Sequence, residues 1–298
     1  MVAKYKSTNE ASKHMKQKNL LYLGAALASA AALGVLLDAL FLEKYFFEIK
    51  QFDIGRKDGG KSLKLALVTD LHFKHRVLPQ YEKLAGTINE LHPDLLLITG
   101  DILDSGGKLE TARRFFEMLQ QSIRKVAVPG NNDYEAETSI SQLRKMLEKY
   151  NCNLLVNESK VYEIRDTRLM VTGLDDLMRG QSNLSKAVDD IPAEENHILL
   201  VHNPLHHEHA IEELEKINSK RNQDNRLSID YVFAGHTHGG QVRLPGYVPV
   251  LPPRSGNYVN GWYNDKPPYL YVSRGFGTST LPFRFFARSE LTVFNYCV

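Results

Sequence analysis

The chain predicts an α/β fold with a parallel sheet, entered through an N-terminal helix of membrane length, and two patterns carry that prediction. From residue 62 onward, short apolar runs of strand length alternate with amphipathic stretches of helix length, and strand-helix-strand succession builds a parallel sheet. Upstream, residues 20–37 read LLYLGAALASAAALGVLL without a charge.

The N-terminal run comes first. At about 1.5 Å per helical residue it reaches roughly 27 Å, close to a ~30 Å hydrocarbon core, and residues 39–42 extend it past Asp38. Lys4, Lys6, Lys13, Lys16 and Lys18 precede it, so the positive-inside rule keeps them cytoplasmic and sends the rest across the membrane. Lys44, Lys50, Arg56 and Lys57 weaken that asymmetry. The alternative is a cleaved signal peptide, since Ala28-Ser29-Ala30 resembles a cleavage site. Tyr45, Phe46 and Phe47 sit where an interfacial aromatic belt belongs, which favours the anchor. The expected organisation is a basic cytoplasmic tail and anchor over 1–45 and one folded domain over 46–298, single-pass in the cell membrane with the domain outside.

Residues 46–55 alternate in polarity and meet the apolar strand 63–69 across a Gly-rich turn, 55–60, which predicts a β-hairpin. The stretch 55–62 also matches the GxxxxGK[ST] phosphate loop. That loop requires a helix after the serine, whereas LKLALVTD reads as a strand, so the match is rejected. Helices follow near 79–91, 109–121, 138–150 and 208–217. They are separated by the strand candidates DLLLITGD, RKVAVPG, NLLVN, KVYEI, RLMVTGL, HILLVHNP and YVFAGHTH, and the C-terminal part returns to strand.

Bulk composition excludes more than it suggests. The net charge of +2 and the lack of an arginine stripe with interleaved aromatics give no indication of nucleic acid, and two cysteines make neither a disulfide framework nor a CxxC knuckle. Polar signatures recur instead at predicted strand ends: Asp70-Leu71-His72, Gly100-Asp101, Gly130-Asn131-Asn132-Asp133, Val201-His202-Asn203 and Gly235-His236-Thr237-His238. Ligands of open α/β sheets bind outside the carboxyl ends of the strands, so these signatures can converge. Imidazole with carboxylate suits Mn, Fe or Zn, and one bridging carboxylate sets two ions ~3.5–4 Å apart.

In order and spacing these segments resemble the calcineurin-like metallophosphoesterase family, over about 63–241. The closest likeness is to its membrane-associated branch with GHTHGGQ, here 235–241, which includes UDP-2,3-diacylglucosamine pyrophosphatase-like and phosphodiesterase-like proteins. The resemblance implies a four-layer α/β/β/α sandwich and two divalent ions, Mn first, with Fe or Zn as alternatives. It assigns Asp70, His72 and His238 to one ion, Asn131, His202 and His236 to the other, and Asp101 between them. It further implies hydrolysis of phosphoester or phosphoanhydride bonds by a metal-activated hydroxide, acting on phosphorylated small molecules or on nucleotide-linked or lipid-linked substrates.

The departure from the family is Asn132, which stands where a catalytic His is usual. An amide cannot serve as an acid, a role in which positioned groups contribute roughly 10²–10⁴-fold. Asn132 is left to hydrogen-bond a phosphoryl oxygen, and the alternative function is a metal-binding scaffold or a very slow esterase. His75 is the outside candidate for the missing acid. His206, His207 and His209 read as a solvated helix face, Asp133 as a cap or ligand-orienting group, and Asp104 as a turn residue. Arg274 reads equally as phosphate-facing or as surface, and the Pro-rich segment 242–255 as a rigid surface loop rather than a cover for the site.

Overall fold

The structure, a computed structural model, describes residues 2–56, 60–189, 191–244 and 246–298, and for residues 2–13 and Lys44 the backbone only. Lys57, Asp58, Gly59, Pro245 and the side chains of Lys4, Lys6, Lys13 and Lys44 therefore lie outside the described residues.

Helix α1 (Val2–Leu37) is built from Ala, Leu and Lys, which are good helix formers, and it continues through a π turn, Asp38–Leu42, into the short α2 (Glu43–Tyr45). From His14 to Leu42 it is 29 residues long, its 18-residue apolar window has a mean hydropathy of 2.1 and is not buried against the rest of the chain, and only near its end does a residue, Ala39, become buried. That combination fits a lipid environment.

Among the described residues, the remainder forms two six-stranded sheets with helices packed on them. The first uses β1 (Glu48–Gly55), β2 (Ser62–Val68), β3 (Leu95–Thr99), β4 (Lys125–Val128), β5 (Cys152–Leu154) and the C-terminal strand of the chain. The second uses β6 (Glu158–Ile164), β7 (Thr167–Gly173), β8 (His197–Leu200), β9 (Tyr231–Ala234), β10 (Gly261–Tyr263) and β11 (Tyr269–Val272), and β12 (Glu290–Cys297) is the strand that returns to the first. The orders are β1-β12-β2-β3-β4-β5 and β10-β11-β9-β8-β7-β6.

Strand periodicity sorts the side chains into layers. In β2 and β3, Leu63, Leu65, Leu67, Leu95 and Leu97 face the second sheet and meet Ile198, Leu200, Phe233 and Tyr271. Ala66, Val68, Leu96 and Ile98 face the other way, onto α3 (Pro79–Leu91), α4 (Leu109–Met118) and α6 (Ile140–Glu148). A third cluster seals the outer face of the second sheet under α7 (Leu184–Ala187) and α8 (His206–Asn218). Three apolar layers, helix on sheet, sheet on sheet and sheet on helix, make the expected four-layer sandwich. Each fully buried Leu contributes about 1.5–3 kcal/mol over its exposed state.

The expected hairpin of 46–55 with 63–69 does not form. β12 lies between β1 and β2, parallel to the first and antiparallel to the second, with Phe52 opposite Phe294 and Phe294 opposite Leu65. Phe294 fills that central position with a buried ring against Phe52, Tyr271 and Phe233, which no local turn between β1 and β2 could supply. β2 starting at Ser62 bears out the rejection of a phosphate loop, which needs a helix there.

Candidate metal centre

Each predicted ligand leaves the carboxyl end of a strand: Asp70 and His72 after β2, Asp101 after β3, His202 after β8, His236 and His238 after β9. Asn131 and Asn132 open α5 (Asn131–Glu135) just past β4. Strands of both sheets thus deliver side chains to one crevice. The backbone turns tightly to do so: Asp70, His72, Asp101, His236 and His238 all have positive φ, between 49° and 71°. Asp and His are enriched in that region, yet it costs non-glycine residues of order 1–3 kcal/mol each, and such strain gathers where a site must be held in shape. Gly100, at φ +90°, leaves no room for a side chain; a Cβ there would stand 2.5 Å from His202 Nδ1.

All the predicted ligands converge. Asp101 Oδ2 is 3.5 Å from His72 Nε2 and 3.3 Å from His202 Nε2, so one carboxylate oxygen sits between two histidines. On the first side, His72 Nε2 and His238 Nε2 face each other at 3.0 Å, with Asp70 Oδ1 3.5 Å from His238 Nε2. On the second, His236 Nδ1 faces His202 Nε2 at 3.2 Å. Potential ligand atoms of Asp70, His72 and His238, and of Asp70, Asp101 and His202, lie within 4.8 Å of one another. Asp70 is thus near both groups, but its oxygens already accept the His236 backbone N–H at 3.1 Å, and Asp101 Oδ2 makes the closer approach to both histidines.

The hydrogen bonds behind the rings decide which nitrogens face inward. His202 Nδ1 donates to Thr99 O at 2.8 Å, and His236 Nε2 donates to Pro253 O at 3.0 Å. If both rings are neutral, two lone pairs then face each other, an arrangement that requires a proton or a cation between them. The buried Asn131 Oδ1 has no hydrogen-bond partner among the described residues. Nitrogen and oxygen donors with an unmet acceptor fit divalent cations of the Mn, Fe or Zn kind.

In the metal-free centre a proton fills that need. Burial disfavours charge on His202, but Asp101 outweighs it and lifts the imidazole to about 10. Burial likewise pushes Asp101 up, and His202, His72 and the Asn132 amide more than reverse it, holding the carboxyl well below its usual range. His236 falls to about 4 through burial and the neighbouring His202 charge. Asp133 rises to about 7 through burial and the charge of Asp101.

Around this centre several expectations are met and others corrected. Asp133 caps the turn, accepting from Gly130 N at 2.9 Å and Leu103 N at 2.8 Å, which fixes the segment carrying Asn131. Asp104 accepts from Ser105 N at 2.7 Å, as a turn residue does, and its Oδ1 also stands 3.8 Å from His72 Nδ1. Asn132 is turned toward Asp101: its Nδ2 donates to Oδ2 at 2.6 Å and its backbone N to Oδ1 at 2.8 Å. His75 is exposed and lines a neighbouring cavity of about 330 Å³ with His72, Lys74 and Arg76, outside the cavity that holds Asn131 and Asn132.

Arg274 is neither at the surface nor facing the crevice; it is buried, bonded through Nε to Glu290 at 2.7 Å and through Nη2 to Glu48. His206 and His207 are buried too, not solvated: Ser182 Oγ lies 2.6 Å from His206 Nε2, and His207 packs on Tyr258. Only His209 of the three is exposed. The segment 242–255 is more than a surface loop, because its residues 249–253 wall a cavity of about 490 Å³ whose floor is Asp101, Asn131, Asn132, His236 and His238.

Arg284 was missed by sequence reasoning. It is fully buried and donates to His238 O at 3.2 Å, Ala287 O at 2.8 Å and Gly277 O at 2.9 Å, so it ties the GHTH turn to the C-terminal loop. Its signal was one charge inside the aromatic string Phe283 to Phe286. The Pro253 carbonyl that orients His236 left no sequence signal.

Comparison of the sequence with known proteins identifies a family. The sequence profile described as Calcineurin-like phosphoesterase matches residues 63–240, more than half of the chain. An uncharacterized metallophosphoesterase, YkuE, of Bacillus subtilis (strain 168) is 27% identical over 86% of this chain and 88% of its own length. A protein of Danio rerio named transmembrane protein with metallophosphoesterase domain is 27% identical over 77% of this chain and 52% of its own. Among solved structures, phosphopantetheinyl hydrolase of Mycobacterium tuberculosis aligns at 12% identity over 76% of this chain and 96% of its own, with a TM-score of 0.40.

Proposed function

The chain belongs to the calcineurin-like phosphoesterase family, and we propose that it is a dinuclear metallohydrolase of phosphodiester or phosphoanhydride bonds, tethered to the membrane by residues 1–45 with residues 46–298 on the extracytoplasmic side. The observation that carries this reading is the place of Asp101 Oδ2 between His72 Nε2 and His202 Nε2, 3.5 and 3.3 Å away. Asp70, His72 and His238 would hold one ion, Asn131, His202 and His236 the other, with Asp101 shared between them. Bound there, divalent ions would supply Lewis acidity toward phosphoryl oxygens and a water of lowered pKa.

The chain's own residues supply position. Thr99 O and Pro253 O fix the tautomers of His202 and His236, Asp133 fixes the turn of Asn131, and the walls of the cavity flank the place a phosphate would take. Asn132 can donate a hydrogen bond, to Asp101 or to a phosphoryl oxygen, but cannot protonate a leaving group. Good leaving groups, as in pyrophosphates and activated diesters, are therefore the expected substrates, within the GHTHGGQ branch that resembles UDP-2,3-diacylglucosamine pyrophosphatases and phosphodiesterases. The second reading, a metal-binding scaffold with slow turnover, is favoured by the same Asn132, whose amide holds Asp101 Oδ2 at 2.6 Å.

The test is hydrolysis of bis-p-nitrophenyl phosphate, p-nitrophenyl phosphate and a UDP-sugar by the full chain in detergent, with Mn and with chelator. Metal-dependent turnover that prefers the diester or the pyrophosphate supports the hydrolase. Bound metal without turnover on all three supports the scaffold.

A further inference from the structure

The end of the anchor helix is bonded to the loop that walls the metal cavity. Glu43, buried at the end of the helix, accepts from the backbone N–H of Phe286 at 2.6 Å and of Ala287 at 3.0 Å, and Ala39 O accepts from Arg284 N at 3.2 Å. The same loop pairs on its other side with the start of the Pro-rich segment: Phe285 N donates to Gln241 O at 2.9 Å, and Arg243 N to Phe285 O at 2.8 Å. The apolar stretch of the helix ends at Leu42. A segment fastened to Ala39 and Glu43 is thereby held at the depth of the lipid headgroups.

That segment and its partner expose large apolar side chains there. Leu244, Tyr247, Val250, Leu281 and Phe286 are 43–73% accessible, beside Phe41 and Phe46 at the end of the helix. Neither 242–255 nor 278–288 contains an acidic residue, and Arg243, Arg254 and Arg288 supply the charge that anionic headgroups attract. Val250 and Leu281 also line the cavity over the metal ligands, so the apolar face and the mouth of the site are continuous. A water-facing mouth has no use for such a rim.

We infer that this rim rests on the bilayer, so that the metal centre opens onto the leaflet beside the anchor and takes phosphate or pyrophosphate esters carried on a lipid. The lipid's apolar chain runs out past Val250 and Leu281 while its phosphate reaches Asp101 and the histidines. The substrate part rests on the hydrolase reading above; the bilayer contact does not.

The experiment uses the full chain reconstituted in phosphatidylcholine and phosphatidylglycerol vesicles, with a bimane fluorophore on Val250→Cys in a Cys297→Ser background, Cys152 being buried. Tyr247→Cys serves as a second rim position, and Asp166→Cys, in the β6–β7 turn at the opposite end of the strands, as control. Doxyl-labelled lipid is expected to quench both rim probes several-fold more than the control; equal quenching at all three overturns the bilayer contact. In the same vesicles, a lipid phosphonate should inhibit diester hydrolysis roughly tenfold or more better than its chain-free headgroup, because burying even two methylenes shifts an equilibrium that far. Equal inhibition overturns the lipid substrate and leaves the hydrolase standing. Quenching with no hydrolysis of any substrate overturns the hydrolase and leaves the bilayer contact supported.

Discussion

The side-chain amide of Asn132 stands 2.6 Å from Asp101 Oδ2, the oxygen that also lies between His72 and His202. The residue that stands where the family usually has an acid thus braces the carboxylate that lies between His72 and His202. It orients Asp101 and gives up proton donation.

Asn132→His should restore that donation. Turnover of an alkyl phosphodiester, whose leaving group needs a proton, is expected to rise by roughly 10²–10⁴-fold relative to turnover of bis-p-nitrophenyl phosphate, whose leaving group does not. Steady-state kinetics on the two substrates checks this, and an unchanged ratio rules out the missing acid as the limit on substrate choice.

Metal affinity should fall as the solution is acidified, because the cation competes with the proton that His202 carries up to about 10 in the metal-free protein. The His202–Asp101 pair also stabilises the metal-free fold. With a folded value above the ordinary 6.5, that contribution is fully present below about 6.5 and is lost as pH rises through about 10. Thermal unfolding of chelated protein should accordingly drop between those limits, while metal-loaded protein does not follow.

Glu290 is fully buried, accepts from Tyr271 at 2.6 Å, and pairs with Lys50 at 2.9 Å and Arg274 at 2.7 Å. Burial opposes its charge, yet these partners hold its carboxyl below the ordinary 4.5. Its stabilisation is present above that value and lost as pH falls through the depressed one. Glu290→Gln leaves two cations short of a partner and should cost about 3–5 kcal/mol in denaturant unfolding at neutral pH, with a much smaller difference from wild type in acid.

Lys61→Ala should leave hydrolysis unchanged, since Lys61 reaches exposed Asp166 at 3.3 Å and precedes a strand. A large loss of activity measured on the purified variant would return the phosphate-loop reading to consideration.

The parts that were legible in the sequence were those written locally. Short apolar runs alternating with helical stretches gave the strands, and His and Asp beside Gly at their ends gave the candidate ligands, because each signature is a strand end and a tight turn within a few residues. What was not legible depends on distant partners. The hairpin expectation failed because β12, more than 230 residues after β1, takes the place between β1 and β2. Arg274 finds Glu290 and Glu48, and His206 finds Ser182, only once the sheets and helices have packed. Helix ends also shortened: the stretch 109–121 closes at Met118, where Leu119 turns extended and buries its side chain.

The claim that Asp101 joins two metal positions is tested most directly by counting Mn bound per chain, by calorimetric titration and elemental analysis, in wild type and in Asp101→Asn. Two ions in the wild type, with one or none in the variant and hydrolysis down by more than the ~10–100-fold typical of outer-shell changes, is the predicted result. Two ions bound equally well by both proteins, with equal hydrolysis, would contradict the bridging role and the dinuclear centre built on it.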